Sequence, residues 1–88
     1  MIGGDSDDET GTAYTPLQGQ YLSFIYYYTK LHGEPPAERD MMNYFRVTAP
    51  VVHQMVLALE KKGFISRVPG DARSIAVRLK RAQLPDLE

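Results

Sequence analysis

Few side chains in this sequence have the types and spacing that catalysis or metal binding requires. The two histidines, His32 and His53, lie on different predicted elements, and the chain contains no cysteine to join them. Asp5, Asp7 and Asp8 are close together, but their segment is too rich in Gly, Ser and Thr to hold carboxylates in a fixed geometry. The sequence therefore predicts a protein that is not an enzyme and that needs no cofactor or metal.

Charge is distributed unevenly along the chain, although the formal net charge is only −1. Residues 1–13 contain four acids, no base and no apolar periodicity, which predicts a disordered acidic tail. Residues 61–81 contain seven basic residues and one acid, a net charge of +6. Such a region is typical of proteins that contact nucleic-acid phosphates, although a solvated edge strand gives the same pattern.

Length and hydropathy limit the cellular location and the number of domains. We find no apolar run long enough to cross a membrane and no basic-then-apolar leader, so we expect a cytoplasmic protein without a membrane partner. Eighty-eight residues are enough for one domain. We expect residues 14–81 to form it, with the segment 82–88 as a frayed C-terminal tail.

The first predicted helix begins with a capping box. Thr15 is a good N-cap and Gln18 completes the box, while Gly33 ends the helix. Its predicted buried stripe contains Leu17, Tyr21, Phe24, Tyr28 and Leu31. Leu22 and Tyr26 are expected to lie outside this stripe, on the exposed face.

The next two predicted helices are separated by a very short connection. They cover residues 37–45 and 48–62, with only Arg46 and Val47 between them. Two helices joined in this way must cross sharply, as in a helix-turn-helix. Thr48 is expected to cap the third helix, and Gly63 to end it.

The third helix has two distinct faces. Its predicted buried stripe contains Val52, Met55, Val56 and Leu59. Its predicted outward face contains Pro50, Val51, His53, Gln54 and Leu57 and no arginine.

After the third helix the periodicity changes from helical to alternating. Ile75, Val77 and Leu79 alternate with smaller or charged residues, and "PGDA" at 69–72 is typical of a turn. We therefore predict a two-stranded antiparallel hairpin over residues 64–79. Three helices followed by a hairpin make a mainly α protein with a small β element, the winged helix-turn-helix.

Four stretches of the chain carry a family resemblance: "TPLQGQYLSFI", "HGEPP", "VVHQMVLALEKKGFISRVPG" and "RSIAV". Together they resemble the N-terminal DNA-binding domain of the LexA repressor family, over residues 15–79. Ala37 departs from this pattern, because a capping Ser or Thr is usual there, and the turn before the third helix is one residue shorter. The resemblance does not extend to a protease domain, so it carries no implication about self-cleavage.

The resemblance implies that the third helix enters the major groove of double-stranded DNA and that the hairpin touches its backbone. The base-facing residues would be Thr48, Pro50, Val51, His53 and Gln54. The wing contacts with the DNA backbone would come from Arg67, Arg73 and the turn at Gly70-Asp71. Independently of the resemblance, charge makes six further residues candidates for phosphate contacts: Arg39, Arg46, Lys61, Lys62, Arg78 and Lys80. On the third helix Gln54 is the residue suited to a bidentate base contact, with adenine as its usual partner.

Two other expectations concern partners. A transcriptional regulator or repressor of this type usually binds two half-sites as a homodimer. Alternatively, Leu57, Val51 and Pro50 would form an apolar patch for a protein partner, because winged helices also serve as protein-interaction modules.

Overall fold

A computed structural model describes residues 14–88; the acidic segment 1–13, predicted to be disordered, lies outside the described residues. Its helices are α1 (Pro16–His32), α2 (Glu38–Phe45) and α3 (Ala49–Lys61). Two short strands follow, β1 (Ile65–Ser66) and β2 (Ala76–Val77), and then a 3-10 turn at Arg81–Gln83. The predicted order of three helices and a hairpin is confirmed.

Helix α1 is bounded by the residues that its sequence predicts. The Thr15 hydroxyl accepts a hydrogen bond from the Gln18 N–H at 3.1 Å, and the Gln18 side chain accepts one from the Thr15 N–H at 3.0 Å. At the other end Gly33 adopts a left-handed conformation with φ of 76°, and its N–H donates to Thr29 O. This conformation favours glycine and satisfies a carbonyl that the helix leaves free.

The buried face of α1 is wider than one stripe. Leu22 and Ile25 are fully buried, whereas Leu17 and Leu31 are 55% and 80% exposed. The prediction was therefore wrong for Leu22 and for both ends of the stripe. The middle of α1 is enclosed from two sides, by the other helices and the hairpin on one and by the C-terminal residues on the other.

Residues 84–88, which we call the C-terminal strap, do not fray but lie along α1. The Ser23 hydroxyl donates to Pro85 O at 2.6 Å, and the Gln20 side chain donates to Asp86 O at 2.9 Å. The Glu88 N–H returns a hydrogen bond to Gln20 Oε1 at 2.8 Å. Two strap leucines also pack against the core, Leu84 and Leu87. The boundary between domain and tail stays a prediction, but these contacts extend the folded unit beyond Arg81.

The connection between α2 and α3 contains an unusual backbone conformation. Arg46 has φ of 57° and ψ of 51°, the left-handed region that residues with a Cβ rarely adopt. The N–H groups of Arg46 and Val47 both donate to Met42 O, which closes the end of α2. The tight connection that the sequence predicts is thus built on a backbone position that costs energy.

Helix α3 begins after Thr48 but without the predicted side-chain cap. Thr48 occupies the N-cap position, yet its hydroxyl makes no capping hydrogen bond. An N-cap hydroxyl accepts from the second or third N–H of the helix, and Pro50 at the second position removes one of these donors and leaves only the N–H of Val51. Thr48 is exposed at the start of α3.

The end of α3 directs the chain into the hairpin. Gly63 has φ of 80°, its N–H donates to Glu60 O at 2.9 Å, and the Phe64 N–H donates to Leu59 O at 3.0 Å. These paired hydrogen bonds form a Schellman motif, which reverses the chain direction. Ile65 then enters β1 as a core residue.

The regular ladder of the hairpin is shorter than the sequence predicts. Ile65 pairs with Val77 and Ser66 with Ala76, and each strand has only two residues. Residues 67–75 form a wing in which regular strand pairing stops. The Ser74 hydroxyl contributes to this, because it accepts a hydrogen bond from the Val68 N–H at 2.8 Å. At its tip the Val68–Asp71 turn contains Gly70 with φ of 86°, as the predicted turn requires.

Candidate nucleic-acid interface

The predicted base-facing residues share one exposed surface at the start of α3. Thr48, Pro50, Val51, His53 and Gln54 are all exposed, while the opposite face of α3 is buried in the core. The faces of this helix are therefore as its periodicity predicts. Three of these residues also border an open, largely apolar groove of about 500 Å³ beside α1: Pro50, Val51 and Gln54.

His53 has an intramolecular partner that the sequence did not reveal. Its Nδ1 lies 3.2 Å from Oε2 of Glu38, in the first turn of α2. The two residues are 15 positions apart and on different helices, so no local spacing connects them. The sharp crossing of α2 and α3 brings them together.

Arg73 of the wing is held inside the domain by a group of oxygens. Its Nη1 lies 3.0 Å from Asp40 Oδ2, 3.2 Å from Pro35 O and 3.4 Å from the Tyr28 hydroxyl. Asp40 Oδ2 also accepts the Ala37 N–H at 2.8 Å. We call Arg73, Asp40, Tyr28 and Pro35 the wing clamp, because it joins the wing to α1, α2 and the loop between them.

The wing clamp sets the ionisation of its carboxylate. Burial by itself raises the pKa of Asp40, but the hydrogen bond from the Ala37 N–H and the hydrogen bond and charge of Arg73 outweigh it. The pKa of Asp40 consequently lies below its usual value. The side chain of Asp40 is only 20% exposed, so solvent screens the pair with Arg73 weakly.

A second ion pair holds the other side of the wing. Arg67 Nε lies 3.0 Å from Oε1 of Glu60, a residue of α3. Of the arginines that the sequence assigns to DNA phosphates, the two in the wing, Arg67 and Arg73, are therefore engaged by carboxylates of the domain. Their contact with DNA stays a prediction, and the ion pairs give both of them a role within the fold.

The other predicted backbone contacts fall into separate groups. Arg39 and Gly70 border an open cleft of about 440 Å³ between the start of α2 and the wing, together with Arg67. Lys61 and Lys62 lie at the far end of α3, about 17 Å along the helix axis from Pro50 at 1.5 Å per residue. Six of the predicted cations are exposed, and within residues 14–88 they form no ion pair: Arg39, Arg46, Lys61, Lys62, Arg78 and Lys80.

Two other kinds of feature are absent from the described part of the chain. Across residues 14–88 no helix is long and apolar enough to cross a membrane. The same region contains no group of three or more His, Asp or Glu side chains arranged to hold a metal ion. The exposed start of α3 and the cleft beside the wing remain the candidate interface.

Comparison with known proteins identifies the family of this chain. The family model described as LexA DNA binding domain matches residues 12–74. The chain is 43% identical over 63 residues to a LexA repressor of Thermosipho africanus, covering 72% of this chain and 32% of that protein. It is 37% identical over 75 residues to a LexA repressor of Geobacter metallireducens, covering 81% of this chain and 37% of that protein. The chain thus spans about a third of the length of these relatives, and it belongs to the LexA DNA binding domain family.

Proposed function

We propose that this chain binds double-stranded DNA as the DNA-binding part of a transcription repressor, with α3 in the major groove and the wing on the backbone. The observation that supports this most directly is the exposed start of α3, which faces solvent immediately after a sharp helix-helix turn. Membership of a DNA-binding domain family and the names of its relatives agree with it. A cytoplasmic, nucleoid-associated location belongs to the same proposal.

Within this proposal, base reading is assigned to the first turns of α3. The Gln54 amide can pair with both N6 and N7 of adenine, while Pro50 and Val51 can pack on thymine methyl groups. The Thr48 hydroxyl makes no capping hydrogen bond, so it is available as a donor or acceptor at the N-terminal end of α3. A surface with these groups favours sites that contain A·T pairs.

Gln54→Ala is expected to change sequence preference more than general affinity. Losing a bidentate contact removes about 1–3 kcal/mol of discrimination at one base pair. Selection from random duplexes should therefore give a consensus that has lost its adenine at one position. Gln83 is a poor control because its side chain accepts a hydrogen bond from the Lys80 N–H and caps the 3-10 turn. Asn43→Ala in α2 is a better one, and an identical consensus for Gln54→Ala and the wild type would contradict the assignment.

Backbone contacts are assigned to the exposed cations, and a salt series measures them. Each phosphate contact contributes about 0.9 to the slope of log affinity against log salt. In fluorescence anisotropy, Arg39→Ala should reduce the magnitude of this slope by about 1. Replacing both Lys61 and Lys62 with alanine should reduce it by about 2. Arg81→Ala is the matched control, because Arg81 lies over the Tyr27 ring of α1 and is not among the residues assigned to DNA contact.

The same series also reports how α3 meets the DNA. If Arg39→Ala lowers the slope and the two-lysine variant does not, α3 enters the groove by its N-terminal end rather than lying along it. If the wild-type protein is folded and binds every duplex without dependence on salt, or binds none, the proposed function is wrong.

A protein-interaction module is the second candidate, and one observation favours it. The groove beside Pro50 and Val51 is almost entirely apolar, which suits a hydrophobic side chain better than a phosphate. Salt-independent association with a protein, together with no DNA binding, would support this alternative. A homodimer is proposed for binding two half-sites; Leu22 is buried and is not part of its surface.

A further inference from the structure

Glu38 and His53 form the only contact that joins the predicted base-facing residues of α3 to an acidic side chain in the region 14–88. Glu38 Oε2 lies 3.2 Å from His53 Nδ1, and the two side chains are 33% and 49% exposed. Glu38 takes no part in the wing clamp, whose carboxylate is Asp40. The other groups that line the adjoining cleft include the cations Arg39 and Arg67 and the acid Asp71.

The pair determines which nitrogen of the imidazole carries a proton. An ionised carboxylate can accept a hydrogen bond but cannot donate one, so the Nδ1 of His53 must be the protonated nitrogen. In a neutral imidazole the other nitrogen, Nε2, then carries a lone pair and is an acceptor. Because the two nitrogens lie on opposite sides of the ring, Nε2 is directed away from Glu38.

We propose that Glu38 is a specificity-determining residue that acts through His53, by making Nε2 a hydrogen-bond acceptor toward the DNA. In the major groove an acceptor matches the exocyclic amino groups of cytosine N4 and adenine N6, and it does not match guanine O6 or thymine O4. The proposal rests on the proposed function. It adds a residue of α2 to base selection, although Glu38 itself touches no base.

A carboxylate at this place otherwise has no favourable role in DNA binding. A negative charge beside the phosphate backbone is repelled, and removing it should improve general affinity. Glu38 lies in the first turn of α2, near the positive end of the helix dipole. Its ionised state is what fixes the proton on Nδ1 of His53.

The test is base preference at the single position that faces His53, measured by selection from random duplexes at pH 8. We expect the wild type to favour cytosine or adenine at this position by about tenfold. In Glu38→Gln the amide can donate to Nδ1 or accept from it, so the preference should fall to about twofold. Asp86→Asn removes the same charge from the C-terminal strap and should keep the wild-type consensus.

A double variant separates this role from a merely structural one. In a His53→Ala background the position has already lost its preference, so adding Glu38→Gln should change nothing further. An unchanged consensus in Glu38→Gln, or an equal effect of Glu38→Gln with and without His53, overturns the proposal. Those results leave DNA binding by the wild type intact, whereas absence of binding by the wild type removes the proposed function and this inference together.

Discussion

Replacing Asp40 with alanine is expected to lower the free energy of unfolding by about 2 kcal/mol, the usual range for hydrogen bonds to a charged group. The carboxylate accepts from both the Ala37 N–H and Arg73, and it is largely shielded from solvent. Alanine would leave both donors without this partner. Urea denaturation measures the change, and Asp86→Ala on the C-terminal strap is the control for losing a carboxylate.

The effect of Asp40→Ala should depend on pH in a defined direction. Because the pKa of Asp40 is lowered in the folded protein, its stabilising contribution is complete above the ordinary aspartate pKa of about 3.9. The contribution declines as pH falls below that value toward the lowered pKa of the folded state. The difference between wild type and variant should therefore be constant from pH 7 to about pH 5 and shrink in stronger acid. A constant difference down to the acid limit would contradict the role of the charged form.

DNA binding should also weaken in Asp40→Ala, but without a change in salt dependence. A released wing must be ordered again on binding, which costs about 0.5–1.5 kcal/mol for each long side chain and corresponds to about two- to tenfold in affinity. Arg73→Ala should behave in the same way, because the clamp already engages its guanidinium. If Arg73→Ala instead lowers the salt slope by about 1, Arg73 contacts a phosphate directly.

Replacing Arg46 with glycine is expected to stabilise the protein and weaken its DNA binding. A left-handed residue with a Cβ costs about 1–2 kcal/mol, and glycine removes this strain at an entropic cost of about 0.5–1 kcal/mol. The net gain in unfolding free energy should be somewhat under 1 kcal/mol. Loss of the cation should lower the slope of log affinity against log salt by about 1.

Arg46→Lys is the matched control for this prediction. It keeps both the charge and the strained conformation, so stability and salt slope should stay near the wild-type values. If Arg46→Gly leaves the slope unchanged, Arg46 touches no phosphate. If Arg46→Gly destabilises the protein, the arginine side chain makes native contacts that offset its backbone strain.

The parts of this structure that could be predicted are those encoded locally. The capping box of Thr15 and Gln18 and the left-handed glycines at 33 and 63 depend on residues a few positions apart. The two faces of α3 follow from helical periodicity alone. These signals were sufficient for the element order and for which side of α3 is exposed.

The errors concern contacts made between distant parts of the chain. Leu22 looked exposed because helical periodicity describes one face, and the C-terminal strap that covers the second side of α1 had no sequence signal. The carboxylate partners of Arg73 and Arg67 were not predicted, because charge in a sequence does not show its partner. Asp40 and Glu60, which determine how the wing is held, were not recognised for the same reason.

The wing is fixed to two helices at once, by Arg73 to α2 and by Arg67 to α3. The spacing between the wing tip and the start of α3 is therefore set by the protein rather than adjusted on contact. If both elements engage one duplex, the duplex must supply matching groove width and curvature. Bending a site of 20–30 base pairs to fit costs of order 1–6 kcal/mol, and the cost depends on the stiffness of its sequence. Base pairs that no side chain touches would then contribute to selection, through the ease with which they deform.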